Sequence, residues 1–183
     1  DIAASANDMK FNGTGHLYLL GYYLDIYNPD NTFNKSIASD GFSRFIVLDN
    51  AGNFYARRSE GDVVEKYTMT GEFLMSFGYR SYSEPGQFNI VEDIAVNATG
   101  YYYISDGINH RIQIYTPDGQ YLSEFGVHGD GSGQIDNPKG LDINSTGYVY
   151  VCDYYNSQID IYDQTGNFIN EFGGWGSTNG LFK

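Results

Sequence analysis

Residues 86–126 read GQFNIVEDIAVNATGYYYISDGINHRIQIYTPDGQYLSEFG, and residues 133–173 read GQIDNPKGLDINSTGYVYVCDYYNSQIDIYDQTGNFINEFG. The two stretches align without a gap at an offset of 47, which puts Gly100 on Gly147, Asp106 on Asp153, Gly119 on Gly166 and Phe125-Gly126 on Phe172-Gly173. An offset of 48 carries the same frame back onto Gly52, Tyr55, Tyr67, Gly71 and Phe77-Gly78. A looser first copy fits Asn12-Gly13-Thr14-Gly15, Tyr27 and Phe33. Periods of about 40–50 residues built from short strands belong to propellers and arrays.

Each copy divides into four strand-like runs. In the third copy these are 93–97, 101–106, 111–116 and 121–125, and in the fourth 141–144, 148–153, 158–163 and 168–172. The second copy gives 44–49, 54–58, 63–68 and 72–77, and the first 8–12, 16–20, 24–28 and 32–37. In Arg111-Ile112-Gln113-Ile114-Tyr115 and Gln158-Ile159-Asp160-Ile161-Tyr162 the isoleucines alternate, so they share one side of a strand. Pro117-Asp118-Gly119 and Gln164-Thr165-Gly166 supply hairpin turns. No stretch keeps a helical period. The expected fold class is all-β, a β-propeller whose four visible blades are four-stranded meanders at about 1–38, 39–78, 79–126 and 127–173.

The string from Asp106 through Asn109-His110-Arg111 to Tyr115, with Gly86-Gln87-Phe88 before it and Glu124-Phe125-Gly126 after it, resembles an NHL repeat. The resemblance is strongest in the third and fourth copies and weakest in the first. Arg57-Arg58 stands in the second copy where the pattern has Asp. The resemblance implies a ring of usually six blades. Residues 173–183, GGWGSTNGLFK, then read as the linker that opens a further blade, since Gly180 and Phe182 fall 47 beyond Gly133 and Ile135. The expectation is a propeller fragment of a longer chain. A ring closed by another subunit and a compact four-bladed ring are the alternatives.

Composition bounds the partners. The formal net charge is −13, with 10 Lys and Arg against 23 Asp and Glu. A nucleic-acid binder needs a basic face, and so does adhesion to anionic lipid. Neither nucleic acid nor membrane insertion is expected, since no apolar run approaches the ~20 residues of a spanning helix. Aromatics make up 17% of the chain, in keeping with pleated surfaces. The start at Asp1-Ile2-Ala3 reads as a mature or excised form. Cys152, the only cysteine, sits in an alternating run and is expected to be a small buried thiol.

Four Asn-x-Thr/Ser acceptors for N-glycosylation occur at Asn12, Asn34, Asn97 and Asn144. Three of them recur at the turn between first and second strands. Asn and Thr also make good turns by bonding their own backbone, so the pattern has a structural reading as well. Sugars on that side would leave the opposite side, made of second-to-third strand loops and inter-blade linkers, for partners. Its candidate binding residues are Arg57, Arg58, Asn109, His110, Tyr154, Tyr155 and Asn156, with Glu60, Asp62, Ile108, Tyr79, Arg80, Tyr82 and His128 nearby in the pattern.

Asp106 and Asp153 follow second strands and are expected to fix loops. A central cation, Ca²⁺, held by several such carboxylates is the alternative, and Arg58 in the second copy speaks against it. The peptide-amidating lyases that the resemblance brings in use a His-ligated metal. His16, His110 and His128 here fall at a strand start, a loop and a linker, so no metal or catalytic set is expected. Residues 128–134, HGDGSGQ, lack the Lys and helix of a phosphate loop.

The preferred function is a non-catalytic extracellular or cell-surface module for protein or glycan recognition or surface assembly, without a cofactor. A metal-dependent lyase or lactonase on the same fold is one alternative. A structural subunit that self-associates through open blade ends is the other.

Overall fold

The structure is a computed structural model, and it describes residues 8–21, 23–38, 42–49, 51–58 and 62–182. The chain divides into two compact units, Asp1–Phe77 and Gly78–Lys183. Among the described residues there are sixteen strands in four antiparallel sheets, each a meander in chain order. Unit 1 holds sheet one, β1 (Asp8–Phe11), β2 (Leu17–Leu20), β3 (Tyr23–Tyr27) and β4 (Phe33–Ala38), and sheet two, β5 (Phe42–Leu48), β6 (Phe54–Arg58), β7 (Val63–Tyr67) and β8 (Phe73–Phe77). Unit 2 holds sheet three, β9 (Val91–Val96), β10 (Tyr102–Asp106), β11 (Arg111–Tyr115) and β12 (Tyr121–Phe125). It also holds sheet four, β13 (Pro138–Ile143), β14 (Val149–Asp153), β15 (Gln158–Tyr162) and β16 (Phe168–Gly173). These are the sixteen expected strands, with ends moved by at most three residues.

Every sheet turns its third strand into its fourth in the same way. A register shift precedes Tyr27, Tyr67, Tyr115 and Tyr162, which then pair with Phe33, Phe73, Tyr121 and Phe168. The rings meet edge to face at 5.7, 5.7, 5.9 and 5.8 Å. The bulge adds twist, and the edge-on contact suits the ring quadrupoles.

Each unit has its own core. In unit 1, Tyr18, Leu20, Leu24 and Ile26 of sheet one pack on Phe54 of sheet two, and Phe54 stacks on Tyr67 at 5.0 Å. In unit 2, Ala95, Tyr103, Ile112, Ile114 and Phe125 of sheet three pack on Leu141, Val149, Val151 and Tyr162 of sheet four, with Ile135 among them. Phe125 and Tyr162 lie 4.6 Å apart across the two sheets. Burying each such side chain is worth about 2 kcal/mol.

The alternation in β14 corrects one expectation. Val149 and Val151 point into this core and Asp153 is buried on the same side, so Cys152 points the other way and is exposed rather than buried. Partial desolvation and then Asp93 still hold its thiol above the ordinary range, which disfavours the reactive thiolate.

The linkers repeat too. Among the described residues three of them are each closed by a single parallel bridge, Arg80 to Phe88, His128 to Ile135 and Trp175 to Phe182. Residues 174–182 therefore take the form of the two linkers before them.

Candidate functional site

Linkers and second-to-third strand loops meet at one end of sheets three and four, tied there by aspartates. Asp106 Oδ1 accepts from Asn89 N at 2.7 Å, and its Oδ2 accepts from Asn109 Nδ2, Arg111 Nε and Gln113 Nε2, each at 2.9 Å. Arg111 spreads its guanidinium over the carbonyls of Ser83, Glu84 and Gln87 and over Glu124 Oε2 at 2.9 Å. One buried cation thus joins the linker to two strands. Asp153 repeats part of this, accepting from Asp136 N at 2.8 Å and from Asn156 Nδ2 at 2.7 Å, while Asn156 Nδ2 also reaches Gly129 O. Both aspartates fix the loop, and Asn109 and Asn156 serve the same purpose.

Sheet four breaks the charge balance. Gln158 and Asp160 stand where sheet three has Arg111 and Gln113. Asp160 is fully buried; Gln158 Nε2 donates to its Oδ1 at 2.8 Å, while Asp160 Oδ2 and Glu171 Oε2 have no hydrogen-bond partner. Burial, and then the neighbouring charge of Asp153, push Asp160 up to about 7. Sheet two keeps its balance by exchange, with Arg58 at the Asp106 position 3.5 Å from Glu65 and Tyr67 donating to Glu65 at 2.7 Å.

Tyr154 and Tyr155 project from the β14–β15 loop, 59% and 64% exposed, with rings 5.1 Å apart. Tyr155 N donates to Asp136 O at 3.2 Å, Ser157 N donates to Tyr154 O, and Lys139 Nζ lies 5.7 Å from the Tyr154 ring. Lys139 is itself held by Glu92 at 2.5 Å.

Beside them a second cluster forms, which sequence reading missed. His110 Nδ1 lies 3.0 Å from Asp136 Oδ1, and His128 Nε2 lies 3.6 Å from Asp136 Oδ2. The two imidazoles are 4.1 Å apart, and one ligand atom from each of the three residues falls within 4.8 Å of the others. Gly126 makes the approach possible. At φ 95 its chain passes where a Cβ would meet His110 O at 3.2 Å and Ile135 Cδ1 at 2.7 Å. His128 then arrives two residues later, beside His110. Loop and linker residues at one blade end were the signal available, but Asp136 had no motif to mark it.

In unit 1 the two arginine candidates part, one turned inward and one outward. Arg57 pairs with buried Asp62 at 2.6 Å and is 12% exposed, whereas Arg58 is 46% exposed. Glu60 lies outside the described residues. His16 meets Thr14 Oγ1 at 2.9 Å, in the other unit from His110 and His128. A cleft of about 340 Å³ is lined by Phe11, Asn12, Thr14, Leu48, Asp49 and Met69.

The glycosylation candidates are turn residues. Asn12 Oδ1 accepts from Thr14 N, Thr14 Oγ1 and His16 N, and Asn97 and Asn144 repeat the three bonds with Thr99 and Tyr101 and with Thr146 and Tyr148. Asn34 sits exposed on β4, its Nδ2 donating to Asn28 Oδ1 at 2.9 Å.

No family model matches the chain. A segment of 62 residues is 34% identical to RING finger protein nhl-1 of Caenorhabditis elegans, covering 34% of this chain and 6% of that protein. A streptogramin B lyase structure superimposes with a TM-score of 0.70 at 14% identity, covering 92% of this chain and 55% of that one. A nidogen/laminin complex gives 0.64 at 15%, covering 86% and 59%. The chain thus spans a little over half the length of these solved structures. Four four-stranded meanders, one bulged hairpin repeated in each, and these superpositions identify the fold as a β-propeller.

Proposed function

We propose that this chain is a non-catalytic, NHL-like propeller module that recognises protein or carbohydrate at an extracellular or cell-surface location. The contact surface is the loop-and-linker end of the blades in unit 2. The observation that carries the reading is the exposed Tyr154–Tyr155 pair, whose backbone is pinned to Asp136 and whose Tyr154 ring has Lys139 Nζ over it. Large rigid aromatics on a fixed loop stack on sugar rings or partner side chains at little entropic cost. The nidogen/laminin complex is an assembly of two proteins, and the likeness to it supports a protein partner at the level of fold.

The test is binding of the chain to immobilised glycans and to a panel of secreted proteins, with the Tyr154→Ala/Tyr155→Ala double variant in parallel. A ligand held by the parent chain and lost from a correctly folded variant is expected. Equal binding by both moves the contact elsewhere and ends the assignment. The extracellular setting is tested on protein from its natural source, where deglycosylation should lower the intact mass by whole sugar units. A mass that does not move removes that part. A metal-dependent enzyme is the second reading, favoured by the convergence of His110, His128 and Asp136.

A further inference from the structure

We propose that His110, His128 and Asp136 form a binding site for one divalent transition-metal ion, with zinc the best fit, where the sheet-three loop meets the linker to sheet four. The inference does not depend on the recognition surface above.

The ligand chemistry comes first. Two imidazoles and a carboxylate suit Zn²⁺, Ni²⁺ and Cu²⁺, whereas Ca²⁺ and Mg²⁺ prefer all-oxygen sets. Ligands about 2.1 Å from one tetrahedral ion stand about 3.4 Å from each other. The separations of 3.0 Å from Asp136 Oδ1 to His110 and 3.6 Å from Asp136 Oδ2 to His128 lie near that value, and one ligand atom from each residue falls within 4.8 Å of the others, so a small side-chain adjustment closes the set on one ion. Three protein ligands leave a fourth position for water. The exposures of 25%, 26% and 64% for His110, Asp136 and His128 leave a way in.

The site is also held ready. Asp136 is fixed at both backbone groups, its N–H donating to Asp153 Oδ1 and its carbonyl accepting from Tyr155 N. His110 sits in the left-handed region at φ 55, and its own N–H donates to Gly107 O. The parallel bridge to Ile135 fixes the backbone of His128. Support of this kind around the ligands raises metal affinity.

His110 Nδ1 has one in-plane position, yet Asn137 N–H points at it as a donor from 3.1 Å while the Asp136 carboxylate approaches at 3.0 Å. A metal ion would give the Asp136 carboxylate a positive partner, and by taking the Nδ1 lone pair it would displace the Asn137 N–H from that nitrogen. The surrounding charge of −13 draws cations toward it.

The arrangement is particular to this junction. In the neighbouring linker copies the His128 position carries Arg80 and Trp175, and the Asp136 position carries Asn89. The blade geometry therefore does not require this ligand set.

The experiment is calorimetric titration of the chelator-treated, full 183-residue chain with ZnCl₂ alone, and with CoCl₂ read by its visible absorption. One metal per chain is expected, with the intense absorption of low-coordinate Co²⁺. His128→Gln, an exposed position that leaves the fold intact, should weaken binding by at least about 10-fold, and Asp136→Asn should do the same. His16→Gln should leave binding unchanged. No binding at all, or equal affinity in the His128→Gln chain, overturns the site. Binding that depends on His16 places the metal elsewhere and overturns it as well.

Discussion

Asn12, Asn97 and Asn144 each offer one carboxamide oxygen to three donors, and Asp49 and Asp163 offer a carboxylate oxygen to the same kind of turn. Asp163 accepts from Thr165 N, Thr165 Oγ1 and Asn167 N, and those bonds, with Asn167 Nδ2 foremost, hold its carboxyl well below the ordinary range. The turn therefore asks for an acceptor, not for an amide. Asn144→Asp should leave unfolding free energy within a few tenths of a kcal/mol of the parent, because the amide nitrogen makes only an exposed 3.3 Å bond to Tyr150 Oη, and a carboxylate oxygen there can accept from that hydroxyl as Asp49 does from Tyr55. Asn144→Ala removes the acceptor and should cost about 1 kcal/mol in a denaturant titration. Equal losses in the two variants would show that the oxygen is not what the turn requires. Asn144→Asp is consequently the variant with which to remove a sugar while keeping the turn.

The third strand is where the blades differ most as elements. Its central polar residue is Asp25, Glu65, Gln113 and Asp160 in turn, each followed two residues on by a tyrosine that meets the fourth strand. Sheet three balances its buried acids with Arg111, and sheet two does so with Arg58, but sheet four holds Asp153 and Asp160 with Gln158 in the arginine's place. Asp160 is raised in the folded chain, so folding takes up a proton that the unfolded chain does not hold near neutrality. Its contribution is favourable at low pH and is lost as pH climbs from the ordinary carboxylate range to about 7, by up to about 1.4 kcal/mol per unit. Asp160→Gln, which copies sheet three, should raise the melting temperature at pH 8 and flatten that window. A variant whose pH profile matches the parent's would refute the coupling. The strands themselves were legible from period-two alternation and Gly turns, and Asp106 and Asp153 were legible as loop anchors. The linker at 173–183 was legible from Gly180 and Phe182, but the bridge that closes each linker was not, because a single parallel pair leaves no hydrophobic period, and His110, His128 and Asp136 come together only through that bridge and the bend at Gly126.

At the scale of the whole chain, a net charge of −13 spread over 183 residues opposes compaction. Raising salt from about 10 mM to about 150 mM shortens the screening length from roughly 30 Å to roughly 8 Å. The melting temperature should rise over that range, and a flat or falling profile would mean that local pairs such as Arg111–Asp106 and Lys139–Glu92 outweigh the general repulsion. The three linker bridges carry a different consequence. Arg80, His128 and Trp175 occupy one backbone address, bridged respectively to Phe88, Ile135 and Phe182. A guanidinium, an imidazole and an indole have been installed there on the same fitting. Duplicated blades can thus diversify in what they display while inheriting how they fold, and a new specificity needs one codon rather than a new loop.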